Sequence, residues 1–180
     1  MDMNPGFFAR EEVEAIRPLA KDRRAHGRRL HQSLYKSSMP ARRSARIDDF
    51  EIGQHAAFTK TFTEEDVRRF IEITGDVNPL HVDEEFASST PFARRVLHGM
   101  LTASIFSTMV GMLLPGTGAI YRSQTLTFLL PVHIGETVTA HFVVRSIDRA
   151  KHRLDIEAWI ENESGQHVIE GTCEAGLLRS

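Results

Sequence analysis

Between Thr74 and Met100 the chain reads T-G-D-V-N-P-L-H-V-D-E-E-F-A-S-S-T-P-F-A-R-R-V-L-H-G-M. Asp76, Asn78 and His81 fall within six residues, and Pro79 restricts the backbone between them. A carboxylate and an imidazole five positions apart, on a segment too irregular for a helix, have the chemistry of an acid/base pair. The imidazole exchanges protons near neutral pH, and the carboxylate orients the ring and shares a water with it. The stretch closes on Leu97-His98-Gly99-Met100, where an apolar helical run begins. A glycine at a helix start leaves bare N–H groups open to an anion.

These residues need a frame, and the flanking sequence supplies one. Thr63 precedes Glu64-Glu65-Asp66 as an N-cap, with Asp66 in the capping-box position. Val67, Phe70, Ile71 and Thr74 then recur at helical spacing, and Gly75 ends that helix in a left-handed cap. Residues 76–97 read as a long loop with a short turn near 83–87, and such loops in compact domains are usually functional or disordered. Residues 99–114 carry no charge and are apolar nearly all round, which predicts a helix buried in the middle of the fold. Pro115-Gly116 stops it. A strand is expected at 56–62, and four more at 119–130, 136–148, 153–163 and 167–178, the last three linked by hairpin turns. Val138, Ala140, Phe142 and Val144 alternate with their neighbours, as do Leu154, Ile156, Ala158 and Ile160, so one face of the sheet meets a core. The fold class is α+β, with an antiparallel sheet wrapped around one apolar helix.

Charge divides the chain in two. Residues 1–50 hold 11 of the 22 Lys and Arg but only 7 of the 24 Asp and Glu, while the remainder is acidic. We divide it into a basic helical extension and linker, 1–46, and a globular domain, 47–180. Pro18 and Gly27 interrupt the helical composition of 10–35. The extension reads as a solvated helical arm. The functional alternative is contact with an anionic cofactor, a partner or a nucleic acid. It lacks a helix-turn-helix pattern and interleaved aromatics, so no nucleic acid is expected. The overall charge of −2 favours neither nucleic acid nor membrane, and no apolar run approaches 18 residues. Cys173 is the only cysteine, which rules out an internal disulfide and a zinc site built on several thiolates. No secretory signal is evident, and Glu11, Glu12 and Glu14 argue against a transit peptide. A cytoplasmic protein is expected.

G-D-V-N-P-L-H, a Phe-Ala pair, V-L-H-G-M-L-T-A-S, I-Y-R-S-Q-T-L-T-F and P-V-H-I-G-E-T-V occur in that order. Together they resemble the MaoC-like (R)-specific enoyl-CoA hydratases over roughly residues 50–178. The resemblance implies a hot-dog fold, a curved antiparallel sheet around a long central helix, paired as a homodimer. It implies reversible hydration of trans-2-enoyl-CoA to (R)-3-hydroxyacyl-CoA, with an acyl-CoA or acyl-carrier-protein thioester as substrate and neither metal nor redox cofactor. On this sequence the dyad would be Asp76 and His81, and Gly99 would supply the oxyanion N–H. Asn78 would hold the loop or the water, and Ser107 would hydrogen-bond within the site. It says nothing of the N-terminal arm.

Two other readings remain open. A hot-dog thioesterase would also use a carboxylate and a helix-start oxyanion hole. A non-catalytic acyl-thioester binding domain would use neither, and the intact Asp76 and His81 weigh against it. Arg94, Arg95 and Arg122 are candidates for the CoA phosphates. Tyr121 and Gln124 face either the site or a dimer contact. His98 is read as holding the loop, and Cys173 as structural.

Overall fold

The computed structural model of the protein describes residues 44–178, so of the basic extension and linker read at 1–46 all but the last three residues lie outside the described residues. Strand β1 (His55–Thr61) runs through the fully buried Phe62 into helix α1 (Glu64–Thr74). The expected capping box forms. Thr63 Oγ1 accepts from Asp66 N–H at 3.3 Å, and the Asp66 carboxylate accepts from Thr63 N–H at 2.9 Å. Gly75, at φ 77°, donates its N–H to the Ile71 carbonyl at 2.7 Å. Helix α1 therefore ends immediately before Asp76, and the left-handed cap sets the direction in which the chain leaves.

The segment read as a loop contains two short helices, α2 (Pro79–Val82) and α3 (Glu84–Ser88). Local polar caps make them. Asn78 Oδ1 accepts from Leu80 N–H at 3.0 Å with Pro79 at the first helical position, and Asp83 Oδ1 accepts from Phe86 N–H at 3.0 Å. The segment is also laced to its surroundings. Val96 N–H reaches the Leu80 carbonyl at 3.1 Å and Leu97 N–H the Val132 carbonyl at 2.8 Å. The Arg95 guanidinium grips both oxygens of Glu64 at 2.9 Å and Glu84 at 3.1 Å, tying the segment to the start of α1.

The central helix runs from Gly99 as α4 (Gly99–Ala103) and α5 (Ile105–Thr108), finishing in a π-helical turn (Met109–Leu113). Ser104, Thr108 and Met109 keep right-handed helical dihedrals, so the three pieces form one rod. Its burial is one-sided, which corrects the expectation of a helix enclosed all round. Leu101, Ile105, Phe106, Met109 and Val110 are buried, whereas Met100, Ser104, Ser107, Gly111, Met112 and Leu113 are exposed. The uncharged open side is where the cavities described below lie.

The sheet is antiparallel, in the order β1-β4-β5-β6-β2, with β4 (Thr137–Asp148), β5 (Arg153–Asn162), β6 (His167–Leu177) and β2 (Ala119–Gln124). The inner face is the one the alternation named. Val138, Ala140, Phe142, Val144, Leu154, Ile156, Ala158 and Ile160 are each 1% exposed or less. Phe142 stacks on Phe106 of the central helix with ring centroids 5.5 Å apart. Burial of each large apolar side chain of this kind contributes about 1.5–3 kcal/mol, so packing rather than helix propensity holds the rod in place. One expectation fails. The strand read at 119–130 is split into β2 and a two-residue β3 (Thr127–Phe128) that pairs with β6. The register shifts between Tyr121 and Ser123, and the Thr125 backbone then crosses directly over Gly171. A Cβ on Gly171 would stand 1.8 Å from the Thr125 carbonyl oxygen, so the crossing requires glycine.

Candidate active site

Asp76 sits at the mouth of the fold with its side chain half-exposed. Its Oδ1 accepts from Asn78 N–H at 3.1 Å, an Asx turn that fixes the carboxylate relative to α2. His81 lies on α2, with Nδ1 2.9 Å from the Val96 carbonyl oxygen. A carbonyl only accepts, so Nδ1 carries the proton and Nε2 presents a lone pair. The same reasoning applies to the buried His98, whose Nε2 donates to the Asp76 backbone carbonyl at 3.0 Å. Burial disfavours the charged form of His98 and holds its pKa below the usual histidine value.

Asp76, His81 and His98 each bring one polar atom to a cluster whose members lie within 4.8 Å of one another. These residue types also bind metals; here His98 Nε2 donates to the Asp76 carbonyl and His81 Nδ1 lies 2.9 Å from the Val96 carbonyl oxygen. The rings of His81 and His98 overlap, with centroids 3.8 Å apart and planes 31° apart. With polar atoms of Asp76 and His81 within 4.8 Å of one another, a single water bound at about 2.8 Å to each can bridge them.

Gly99 opens the central helix directly after His98. The first hydrogen bond of that helix runs from Thr102 N–H to the His98 carbonyl, so the preceding N–H groups have no partner within it. A Cβ on Gly99 would stand 2.7 Å from the Phe128 ring, and the site is built around its absence. Two cavities meet here. One, of about 750 Å³, is bordered by Asp76, His98, Ser104, Ser107, Tyr121 and Gln124. The other, of about 570 Å³, is bordered by Leu80, Phe92, Leu97, Phe128, Leu130 and Val132. His81, Gly99 and Met100 line both, so a long ligand passing from one cavity to the other bends across His81 and the helix start.

The structure thus gathers Asp76, His81, Gly99 and Ser107 around one space, and Asn78 caps α2 with its Oδ1 and donates its N–H to Asp76 Oδ1. Tyr121 and Gln124 line the Asp76 cavity, and the Tyr121 hydroxyl donates to Gln124 Oε1. Arg94, Arg95 and Arg122 are matched to Glu136, Glu64 with Glu84, and Glu174 respectively, so their charges already have partners. Cys173 is buried, with its thiol pushed up to about 12 by desolvation, in keeping with a structural role. Phe70, Leu126 and Phe128 also form the walls; Leu126 and Phe128 lie in the I-Y-R-S-Q-T-L-T-F segment and Phe70 in the helical periodicity, but none of the three was singled out as a site residue. Proximity of His98 to both members of the dyad likewise had no signal beyond its place next to Gly99.

Comparison with known proteins gives consistent results. The model of the family described as MaoC like domain matches residues 49–164. The chain is 40% identical over 121 residues to the (R)-specific enoyl-CoA hydratase of Aeromonas caviae, covering 67% of this chain and 90% of that protein. It is 42% identical over 118 residues to the 3-hydroxybutyryl-CoA dehydratase of Methylorubrum extorquens, covering 64% of this chain and 75% of that protein. Among solved structures, the (R)-hydratase from A. caviae involved in PHA biosynthesis superimposes with a TM-score of 0.69 at 39% identity, covering 72% of this chain and 98% of the other.

Proposed function

Because the chain belongs to the MaoC-like domain family, with the hot-dog fold, we propose that it is an (R)-specific enoyl-CoA hydratase, a hydro-lyase that reversibly adds water to trans-2-enoyl-CoA. The observation that carries this reading is that Asp76 and His81 bring polar atoms within 4.8 Å of one another in a cavity that Gly99, at the start of the central helix, also lines.

In this mechanism one water lies between Asp76 and His81. His81 Nε2 takes a proton from it as its oxygen bonds to C3 of the enoyl thioester. Asp76 orients the water and offsets the imidazolium charge. Negative charge moves to the thioester oxygen, where the Gly99 N–H donates to it, aided by the helix dipole. The proton held by His81 then passes to C2, so the product gains one whole water and the dyad returns to its starting state. Dehydration of the (R)-3-hydroxyacyl thioester retraces these steps. Asn78 acts by holding Asp76 and α2 in register, and Ser107 faces the bound acyl group from the helix. No metal or redox cofactor enters.

The reading includes a homodimer. Ile120 and Tyr121 on the edge strand β2, and Phe128, Leu129 and Leu130 just beyond it, are exposed large hydrophobic residues beside the cavities, and an unpaired edge of this kind favours coverage by a second chain. It also includes a reducing, cytoplasmic setting, supported by the free thiol of Cys173. No helix among the described residues is long and apolar enough to cross a membrane.

The test is loss of enoyl absorbance when purified protein meets crotonyl-CoA, with the product resolved by configuration and free thiol measured in parallel. The expected product is (R)-3-hydroxybutyryl-CoA without free CoA. Free CoA without hydration would replace this reading with a thioesterase, and binding without turnover would replace it with a non-catalytic domain.

A further inference from the structure

One imidazole touches every part of the proposed machinery. His98 is 3% exposed and lies between the dyad and the central helix. Its Nε2–H donates to the backbone carbonyl of Asp76 at 3.0 Å, and its ring overlaps that of His81 at 3.8 Å. Its ring also meets the Phe70 ring with centroids 5.0 Å apart, which anchors it to α1. Its own carbonyl accepts the first hydrogen bond of the central helix, and Gly99 follows it directly. Nδ1 is buried without a hydrogen-bond partner among the described residues. That nitrogen is bare in the tautomer fixed by the Nε2 donation, so what it forgoes is an acceptor's bond and not a donor's.

A residue that only filled this space could be any apolar side chain of similar volume. A buried imidazole with one satisfied donor and one bare nitrogen costs more to fold than such a side chain. What it provides instead is a hydrogen bond to Asp76 and a flat face for His81 in the same rigid group. We propose that His98 is the positioning residue of the dyad, fixing the Asp76 backbone and the plane of His81 against the helix start so that both address the same water. The inference rests on the hydratase reading above. His98 does not touch substrate in this account. It acts through the geometry of the other two, and misplacement of reacting groups by about 1 Å costs roughly a hundredfold in rate.

The test compares wild type, His98→Phe and His98→Gln in crotonyl-CoA hydration, with thermal melts of each. Phe fills the space and keeps the face for His81 but cannot donate to Asp76. Gln places an amide N–H near the position of Nε2. The expected result is a fall of roughly 30- to 100-fold in kcat for His98→Phe with KM within about threefold of wild type, and recovery of about tenfold or more in His98→Gln. If His98→Phe does not fold, His98→Asn, whose shorter amide does not reach the Asp76 carbonyl, takes its place in the comparison. A folded His98→Phe or His98→Asn with wild-type kcat would overturn the proposal. So would a His98→Gln no better than the variant lacking the donor, or a loss confined to KM. Absence of hydration in wild type would instead overturn the hydratase reading, so the two failures are separable.

Discussion

Gly99 is the residue at which space, not polarity, decides the chemistry. An added methyl would stand 2.7 Å from Phe128, so either the aromatic ring or the helix start must move. We expect Gly99→Ala to keep a native far-UV circular dichroism spectrum and to lose roughly a hundredfold or more in kcat, the scale of one misplaced oxyanion donor. Wild-type rates in that variant would remove Gly99 from the mechanism. His98 gives a prediction about pH. Burial lowers its pKa in the folded state from the ordinary 6.5, so the unfolded chain binds the extra proton first as pH falls. Stability contributed by neutral His98 is therefore complete above about pH 6.5, declines as pH falls below it, and levels off below the folded-state pKa. Melting temperatures measured from pH 7.5 to 5 should fall less steeply in His98→Gln than in wild type, even though Asp76 and His81 remain beside that position. Asp76, His81 and Gly99 could be brought forward as candidates from the sequence because their types, order and spacing are local, and the structure sets them around one cavity. The second contact of His98 was not legible there, since it depends on α2 folding back until the His81 ring lies over it.

At the scale of elements, α1 is a pointer as much as a support. Its capping box fixes where it starts and Gly75 fixes where it ends, so the cap at Thr63 acts on the placement of Asp76 through the helix between them. Removing the cap in Thr63→Ala should cost about 1 kcal/mol in urea denaturation, with the denaturant slope unchanged because the folded state is otherwise the same. No measurable change would mean that the Arg95 clamp on Glu64 suffices to hold the start of the helix. The capping pattern, the two sheet hairpins and the inner-face alternation were all legible, because each is written within a few residues. The α2 helix was missed, and α3 was read only as a short turn near 83–87, because both are only as long as their caps, too short to show a period. The division of the strand at 119–130 was missed because its cause, Gly171, lies far along the chain in β6. The open side of the central helix was hidden for a related reason. An uncharged helix facing an apolar ligand cavity has the same composition as one facing a core.

For the whole molecule, the cavities and the exposed apolar edge lie on the same side, around Met100, Tyr121 and Phe128. A second copy covering that edge would enclose both cavities. Light scattering should give the mass of a dimer, and Ile120→Lys on β2 should shift it toward the monomer with weaker crotonyl-CoA binding. A monomeric, fully active wild type would set the dimer aside. The central claim is that Asp76 and His81 activate one shared water. Its most direct test is the rate of crotonyl-CoA hydration in Asp76→Asn, His81→Gln and the double variant. If the two act as one unit, each single change should remove most of the activity, on the order of a hundredfold to ten-thousandfold, and the double variant should be little worse than either. Losses that multiply in the double variant, or a single variant that keeps wild-type turnover, would contradict the shared-water account.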